Sequence, residues 1–396
     1  MISTKNFLLF LIVFCLIFIT IKFYSYYIEH SEWQYSDWLI NYQGGLIRRG
    51  LIGEILFKFH QLTLIPLDIL IFIFVIFLYF FIYLCLIKSL KHIEKSKINI
   101  LIFLSPAFFI YPVMNSEIIG RKDILFLFFL SFLTFFEKKL NLKIIFTILV
   151  IGIIITALSH SGLIFYAPYL ILLYILIKQS RNLKINILEI SVIFLIIFFL
   201  LIFIQSFSGN DQIVNNICVS VKEFVAKSCG KSGQIFWLTK SLEDRIFEKT
   251  YMGKIYIMKY LIIYLSSIFI SFLFISLSLF NSKLSFNILK NIKLNPFYIF
   301  LIAFIFTLPV YILGRDWGRY IYISYSSIFF IYIYCIKNNL LAFKGNFLKR
   351  IKNLSKFNFI ILIFIYSFVW TFPFYDAKSF KIVLKKPIYQ IIKKLK

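Results

Sequence analysis

The sequence contains little acid and few of the residues that build soluble catalytic sites. Asp and Glu number 17 against 43 Lys and Arg, and charged residues make up only 15% of the chain. Four histidines occur, and their spacing from Asp and Glu resembles no metal site, which argues against zinc. A Walker loop, a GxGxxG sequence and a GxSxG sequence are all missing from the chain. These absences exclude ATPases, enzymes with nucleotide cofactors and serine hydrolases.

The sequence is instead rich in long runs of apolar residues. Hydrophobic residues make up 61% of the 396 residues, against roughly 45–50% in a soluble domain. Several runs reach the ~20 apolar residues needed to cross a bilayer. No Gly- or Pro-rich linker and no repeat divides the chain, so we predict an all-α polytopic membrane protein with a single domain over 1–396. We expect about eleven transmembrane helices, within a range of about 10–12. The predicted spans are 7–28, 66–87, 99–113, 124–136, 144–158, 163–177, 185–205, 256–280, 297–313, 320–336 and 358–375.

Two neighbouring segments need a separate interpretation. The first run, 7–28, is too long for the apolar core of an ordinary signal peptide, and no small-residue cleavage pattern follows it, so it is predicted to be a retained helix. Residues 51–62 have the pattern of an amphipathic helix lying at the membrane interface.

The net charge of +26 follows the connections between spans rather than one face. With the N-terminus inside, the inner connections carry 19 Lys and Arg, and the short outer connections carry six. This is the positive-inside bias of membrane proteins, so a nucleic-acid partner is not expected. We predict a multi-pass protein of a bacterial inner membrane, with a cytoplasmic N-terminus and the lipid bilayer as its surroundings.

Six polar clusters interrupt the apolar chain and carry most of its arginine. They are 29–50, 115–123, 159–162, 206–255, 314–319 and the basic C-terminal tail. Arginine suits phosphate or carboxylate binding, whereas lysine beside a membrane usually sets topology. The predicted topology places these clusters, apart from the tail, on one outer face, with 206–255 as an extended outer loop.

Cluster 29–50 offers a candidate base beside a candidate anion site. Glu32 and Asp37 are the carboxylates, and we favour Asp37 because it lies nearer the glycines and arginines that follow. Arg48 and Arg49 are candidate phosphate ligands, and Trp38 is a candidate surface for stacking a sugar. The alternative is a solvated interfacial loop whose aromatic residues belong to the membrane's aromatic belt.

Cluster 314–319 is the densest. Arg315 and Arg319 lie four residues apart, so a helical turn would align them as a fork for a diphosphate, with Asp316 orienting one guanidinium. In 115–123, Arg121 and Lys122 add two candidate cations, with Glu117 and Asp123 as their partners. Local ion pairing within each cluster is the alternative for both.

The remaining candidates are a histidine and a cysteine pair. His160 follows a span, where a neutral imidazole could relay a proton or bind a sugar hydroxyl, and a structural histidine is the alternative. Cys218 and Cys229 share the one long outer segment, so we predict a disulfide between them. Cys15, Cys85 and Cys335 are expected to be packing residues.

This arrangement resembles the polyprenol-dependent GT-C-type glycosyltransferases and the Wzy-like polysaccharide polymerases of bacterial envelopes. The resemblance lies in the acidic first outer loop, the number of spans, the arginines of later outer loops and one larger outer segment. Members of the first group commonly show an acidic pair such as DD, DxD or ExD, whereas here Glu32 and Asp37 lie five apart. The resemblance implies a helical membrane bundle with an outward-facing cavity, which uses a polyprenyl-phosphate- or -diphosphate-linked sugar or oligosaccharide at the outer face.

Two other functions remain open. A lipid-linked oligosaccharide flippase would place charges deep in the spans, where the sequence offers only Asp68 and Glu189 near predicted span ends. A membrane O-acyltransferase would need a site centred on a histidine such as His160. No cofactor is expected, a divalent metal is not indicated, and the sugar, the linkage and the oligomeric state are not specified by the sequence.

The charge bias makes the topology testable. In a cysteine-free background, single cysteines placed in 206–255 and in 314–319 should react with a membrane-impermeant thiol reagent added outside intact cells. Cysteines in 337–357 should react only after the membrane is permeabilised, because six basic residues hold that connection inside. Outside labelling of 337–357 would contradict the predicted orientation.

Overall fold

Helices dominate the structure, a computed structural model that describes residues 3–94, 96–225, 229–241, 244, 254–284, 295–343, 351, 353–375 and 381–382. Among them are eight helical segments long and apolar enough to cross a membrane. These segments are Thr4–Ile28, Leu67–Ile93, Leu142–Ser159, Ser161–Ser180, Ile187–Ser206, Met258–Phe280, Pro296–Leu313 and Trp317–Lys337. The expectation of a helical membrane protein is therefore confirmed.

In chain order, the α-helices are α1 Thr4–Ile28, α2 Leu51–Thr63, α3 Leu67–Ile93, α4 Lys97–Phe103, α5 Tyr111–Met114, α6 Asp123–Phe136, α7 Leu142–Ser159, α8 Ala167–Ser180, α9 Ile187–Ser206, α10 Asp211–Ser220, α11 Gly233–Phe236, α12 Lys254–Phe280, α13 Pro296–Ile305, α14 Leu308–Leu313, α15 Trp317–Lys337 and α16 Lys356–Phe368. Short 3₁₀ turns cover Ser36–Leu39, Ser116–Ile118, Glu137–Lys139, Ser161–Tyr166 and Lys222–Phe224. Two small antiparallel pairs join β1 Ser282–Leu284 to β2 Leu341–Phe343 and β3 Trp370–Thr371 to β4 Lys381–Ile382.

Polarity decides which helix lies in the middle. Helix α15 is the least apolar of the eight segments and among the most buried, whereas α9 is the most apolar and the most exposed. Tyr325 of α15 donates to the Ile102 carbonyl at 2.6 Å, and Tyr332 donates to Asn99 Oδ1 at 2.9 Å. Lipid tails offer no such acceptors, so hydroxyl-rich helices are stable only against other protein.

The predicted span 99–113 is not one helix. Helix α4 ends at Phe103, Pro106 follows, and the four-residue α5 carries Pro112 in its first turn. Proline lacks the amide hydrogen that continues a helix and disfavours helical backbone in the preceding residue. Other helices supply partners for the broken segment, since Tyr83 donates to the Phe109 carbonyl at 3.1 Å and Ser105 donates to the Ser271 carbonyl at 3.0 Å.

Two further predicted spans are short in the structure. Helix α6 covers the predicted 124–136 with 14 residues, and α16 covers the first part of the predicted 358–375 with 13. At 1.5 Å per residue these helices are about 20 Å long, shorter than the ~30 Å hydrocarbon core. Helix α6 is nonetheless almost fully buried between α3, α7, α8 and α15.

Helix α2 holds the first polar cluster in place. It matches the predicted amphipathic segment 51–62, and it buries Ile52, Leu56 and Phe57. Gly53 lies on the inward side, where a Cβ atom would come within 2.0 Å of the Ile40 carbonyl oxygen. Only glycine permits this approach, which packs α2 directly against the 3₁₀ turn Ser36–Leu39.

This contact predicts a position-specific effect. Gly53→Leu should reduce the yield and the melting temperature of purified protein, because the new side chain cannot share space with the Ile40 carbonyl. Ile55→Leu on the same helix is the matched control, since Ile55 is 48% exposed and should tolerate the change. Equal melting temperatures for the two variants would contradict the packing of α2 against residues 36–40.

Candidate functional site

The polar clusters meet in one cavity of about 560 Å³. Its lining includes residues of five predicted clusters, among them Gln234 and Trp237 of the extended segment, together with Phe374 and Tyr375 near the C-terminus. The lining residues of the other four clusters are Trp33, Gln34, Arg48, Arg49, Glu117, Arg121, Asp123, His160, Ser161, Gly162, Gly314, Arg315, Asp316 and Arg319. Five arginines face three carboxylates, so the walls carry a formal excess of two positive charges.

Arg48 ties the first cluster to the extended segment. Its side chain is 5% exposed and donates to three backbone carbonyls, those of Trp237, Leu238 and Lys240, the last at 2.7 Å. Its backbone amide donates to the Phe207 carbonyl at 3.0 Å. Arg48 therefore holds the segment after α9 against the first loop, and these contacts are structural.

Arg49 is supported by a buried ion pair. Its backbone has φ 72°, a left-handed conformation that is costly for a residue other than glycine. Lys122 Nζ donates to the Arg49 carbonyl at 2.9 Å and lies 3.8 Å from Asp37 Oδ1. The guanidinium donates to Gln234 Oε1 at 2.9 Å, while its Nε has no hydrogen-bond partner among the described residues.

This geometry corrects the choice of Asp37 as the base. Asp37 and Lys122 are both fully buried, and neither lines the cavity. A general base must lie within hydrogen-bonding reach of the proton that it removes, and Asp37 faces a lysine instead. Burial lowers the pKa of Lys122 to about 8, and Asp37 opposes that shift by favouring the charged ammonium. The pair supports the Arg49 backbone from outside the cavity.

Glu32 and Trp38 also lie away from the cavity lining. Glu32 accepts a hydrogen bond from Ser232 Oγ at 2.7 Å, so it anchors the extended segment. Trp38 is fully buried, and its Nε1 donates to the Gly120 carbonyl at 2.6 Å. The structure thus gives Trp38 no surface on which a sugar could stack.

Arg121 is enclosed by aromatic rings. Its guanidinium carbon lies 5.7 Å from the Trp33 ring centroid and 5.5 Å from that of Phe374, within the range of cation–π attraction. It donates to the Trp33 carbonyl at 3.1 Å. Burial and the nearby Arg319 lower its pKa, while Asp316 and Asp37 oppose the shift.

Arg319 forms the most extensive ionic network of the cavity. It contacts both carboxylate oxygens of Asp123, one through Nε and the other from NH2 at 2.7 Å. It also donates to Asp316 Oδ2 at 3.2 Å and contacts His160 Nε2 at 3.0 Å. With 2% exposure and two carboxylate partners, Arg319 is a neutralised structural cation. The predicted two-arginine fork therefore does not present Arg319 as a free phosphate ligand, although Arg315 does line the cavity.

The same network fixes the state of His160. Burial lowers its pKa well below the usual value, and Arg49, Arg319 and Lys122 lower it further, so the ring is neutral at physiological pH. A guanidinium can only donate, so His160 Nε2 accepts and Nδ1 carries the proton. Nδ1–H is buried without a partner among the described residues. His160 is therefore a hydrogen-bond donor through Nδ1, and its accepting nitrogen is already occupied.

Cys218 and Cys229 are bonded in the structure, as predicted, with sulfur atoms 2.03 Å apart. The bond links α10 to the strand-like turn before α11, which carries Gln234 to the cavity. The predicted segment 206–255 is described here over 206–225, 229–241, 244 and 254–255, and the rest of it lies outside the described residues. Cys15, Cys85 and Cys335 are buried packing residues.

Several lining residues were not identified from the sequence. Asp123 was considered only as a local partner for Arg121 and Lys122, yet it pairs with Arg319, 196 residues away. Gln234, Trp237 and Tyr320 also line the cavity, and they belong to no recognisable sequence motif. Trp33 is detectable in the sequence of 29–50, but only the alternative interpretation of that cluster included it, as part of the aromatic belt.

The charges considered for a transporter have local partners. Asp68 accepts from Tyr27 at 3.1 Å, and Glu189 pairs with Lys178 and accepts from Tyr174 at 2.8 Å. Neither lines the cavity. Among the described residues, no group of three or more His, Cys, Asp or Glu is placed to hold a metal ion.

The Arg319–Asp123 pair predicts a strong effect on stability. Arg319→Met should destabilise the protein by about 3–5 kcal/mol, because Asp123 is left buried without its cation. The double variant Arg319→Met, Asp123→Leu should recover much of that loss. The control is Lys58→Met, which removes an exposed pair with Glu54 and should cost at most about 1 kcal/mol. Thermal unfolding in detergent measures all three, and a double variant no more stable than Arg319→Met would contradict the pairing.

Comparison with known proteins identifies no relative from which a function could be transferred. No family model matches the chain, no curated protein matches it, and no solved structure matches it.

Proposed function

We propose that this protein is a membrane glycosyltransferase or polysaccharide polymerase whose donor is a sugar linked to polyprenyl phosphate or diphosphate. In this proposal the chain crosses a bacterial inner membrane about eleven times with its N-terminus in the cytoplasm. The cavity opens to the outer face, and the bundle is of the GT-C type.

The observation that carries the proposal is the convergence of arginine-rich clusters on one cavity. Five of the eight arginines line a space of about 560 Å³, although they come from positions 48 to 319. Charged groups at membrane depth are costly and are usually retained for a function. An anionic substrate explains the concentration of arginine, and a volume of this size accommodates a sugar phosphate.

The other wall of the cavity is apolar and supports a lipid-linked substrate. Leu201 and Ile204 of α9 and Leu313 of α14 line it, and all three belong to predicted spans. Leu201 is 37% exposed, so this wall continues onto the surface that faces lipid. A phosphate at the arginines with an isoprenoid tail along α9 fits both walls, whereas a soluble nucleotide sugar would leave the apolar one uncovered.

Arg49 is the best-placed ligand for the phosphate, with Arg315 as the second. The described contacts of the Arg49 guanidinium are to a neutral amide, so its charge is not cancelled by a carboxylate in direct contact. As the bond between the anomeric carbon and the phosphate oxygen breaks, negative charge builds on the leaving phosphate. One preorganised contact of this kind contributes about 2.7–4 kcal/mol to lowering the barrier.

Asp316 replaces Asp37 as the proposed base. It lines the cavity, its side chain is 27% exposed, and Arg319 holds one of its oxygens. The acceptor hydroxyl would pass its proton to Asp316 as its oxygen bonds to the anomeric carbon, and the polyprenyl phosphate or diphosphate leaves. His160 Nε2 accepts from Arg319 and so helps to position the guanidinium that holds Asp316.

This assignment predicts the effect of one substitution. Asp316→Asn should lower sugar transfer by about 100- to 10,000-fold, because the amide keeps its hydrogen bond to Arg319 but cannot take a proton. Binding of polyprenyl phosphate to purified protein should change little. The measurement is the profile of lipid-linked glycans in a deletion strain carrying each variant, in which donor should accumulate.

Glu54→Gln is the matched control, since Glu54 lies on α2 outside the cavity lining and should leave transfer intact. Full transfer by Asp316→Asn would remove it as the base. Movement of intact lipid-linked oligosaccharide across proteoliposomes, with no glycosidic bond formed, would identify a flippase instead.

A further inference from the structure

Two tryptophans stand on the cavity wall beside the arginines. Trp33 comes from the first outer loop and Trp237 from the turn after α11, and their ring centroids lie 6.4 Å apart with planes inclined at 55°. Trp33 is 38% exposed, and Trp237 is half-buried. Both tryptophans thus keep accessible surface, and both line the cavity.

An aromatic belt does not account for this pair. Belt tryptophans lie on the outside of a bundle at the level of the lipid headgroups. Trp33 and Trp237 instead share the cavity wall with Arg48, Arg49 and Arg121. Keeping aromatic surface in contact with water inside a cavity is unfavourable, so a ligand with an apolar face would gain by covering it.

Both tryptophans are held in place by the arginines. The Trp33 carbonyl accepts from Arg121 at 3.1 Å, and the Trp237 carbonyl accepts from Arg48 at 3.4 Å. The Arg121 guanidinium also lies 5.7 Å from the centre of the Trp33 ring. The tryptophan pair is therefore joined directly to the arginine-bearing part of the cavity wall.

Polar side chains flank the rings. Gln34 and Gln234 line the cavity, and each follows or precedes a tryptophan closely in sequence. Gln34 donates to the Glu117 carbonyl at 3.2 Å, and Gln234 accepts from Arg49. Aromatic faces edged by amides match a pyranose ring, which has an apolar face of C–H groups and a rim of hydroxyls.

We propose that Trp33 and Trp237 form a carbohydrate-binding subsite, which takes pyranose rings of a glycan directly beside the arginines. The subsite rests on the proposed function for its place in the reaction, since Trp33 and Trp237 line the same cavity as the proposed phosphate ligands Arg49 and Arg315. The sugar can come from the lipid-linked donor or from the acceptor glycan, and the two sources share the same stacking chemistry.

The experiment measures binding to the full-length protein in nanodiscs with three probes. These are polyprenyl phosphate without a sugar, the same polyprenyl phosphate carrying N-acetylglucosamine, and a panel of soluble neutral and acidic oligosaccharides. Wild type should bind the sugar-bearing lipid more tightly than the bare lipid phosphate. Trp33→Ala and Trp237→Ala should each weaken the sugar-bearing probe about tenfold and the bare phosphate less than about twofold.

Conservative variants separate binding from folding. Trp33→Phe and Trp237→Phe keep an aromatic face and should recover most of the affinity. Trp370→Phe is the control, because Trp370 lies in β3 and outside the cavity lining, and it should change neither affinity. Loss of soluble-oligosaccharide binding in the alanine variants assigns the subsite to the acceptor, and loss confined to the sugar-bearing lipid assigns it to the donor.

The outcomes distinguish the subsite from the proposed function. Alanine variants that bind every probe as wild type does would overturn the subsite, as would an equal loss for the bare and sugar-bearing lipids. Wild type that binds bare polyprenyl phosphate but gains nothing from any sugar would overturn the subsite alone. Binding of soluble oligosaccharides without either lipid would overturn the proposed donor and keep the subsite, and binding of no probe would overturn both.

Discussion

The contact between Arg319 and Asp123 is the interaction on which the site depends. It joins the first turn of α15 to the first turn of α6 through both oxygens of the Asp123 carboxylate, and both side chains are almost completely buried. A buried charge without its partner costs several kcal/mol, so neither helix end can move without the other. Because Asp316 and His160 also contact Arg319, the pair sets the positions of the candidate base and of the imidazole at the same time.

A second ion pair repeats this design behind the first loop. Asp37 and Lys122 are fully buried, and Lys122 donates one hydrogen bond to the backbone carbonyl of Arg49. That bond helps to hold Arg49 in a left-handed conformation and brings its guanidinium to the cavity. Stability lost to strain and to burial of charge is recovered elsewhere, in the packing of α2 and of the apolar helices. Charges on the cavity wall are thus supported by charges that a ligand never touches.

Sequence reasoning identified which segments build the site more successfully than which residues act in it. The arginine-rich clusters stand out in the sequence because charge is rare beside membrane spans. Clusters 29–50, 115–123 and 314–319 each contribute arginine to the cavity lining. Asp37 and Trp38 were chosen for their neighbours in sequence, and the 3₁₀ turn Ser36–Leu39 buries both of them. Asp316 was assigned as a supporting residue, yet it keeps a partly exposed carboxylate in the cavity. Which residue of a cluster lines the cavity depends on the direction of its side chain, and the spacing of residues in the sequence does not set that direction.

Hydropathy and charge are local properties, so the sequence alone predicts a helical membrane protein with long apolar helices and with arginine gathered into a few segments. It also indicated the Cys218–Cys229 pair, since both cysteines share one polar segment. Helix packing is what pairs Arg319 with Asp123, encloses Asp37 and brings Trp33 beside Trp237. These outcomes join residues that lie tens to hundreds of positions apart, and burial, which governs the behaviour of every charge here, arises only when the helices pack.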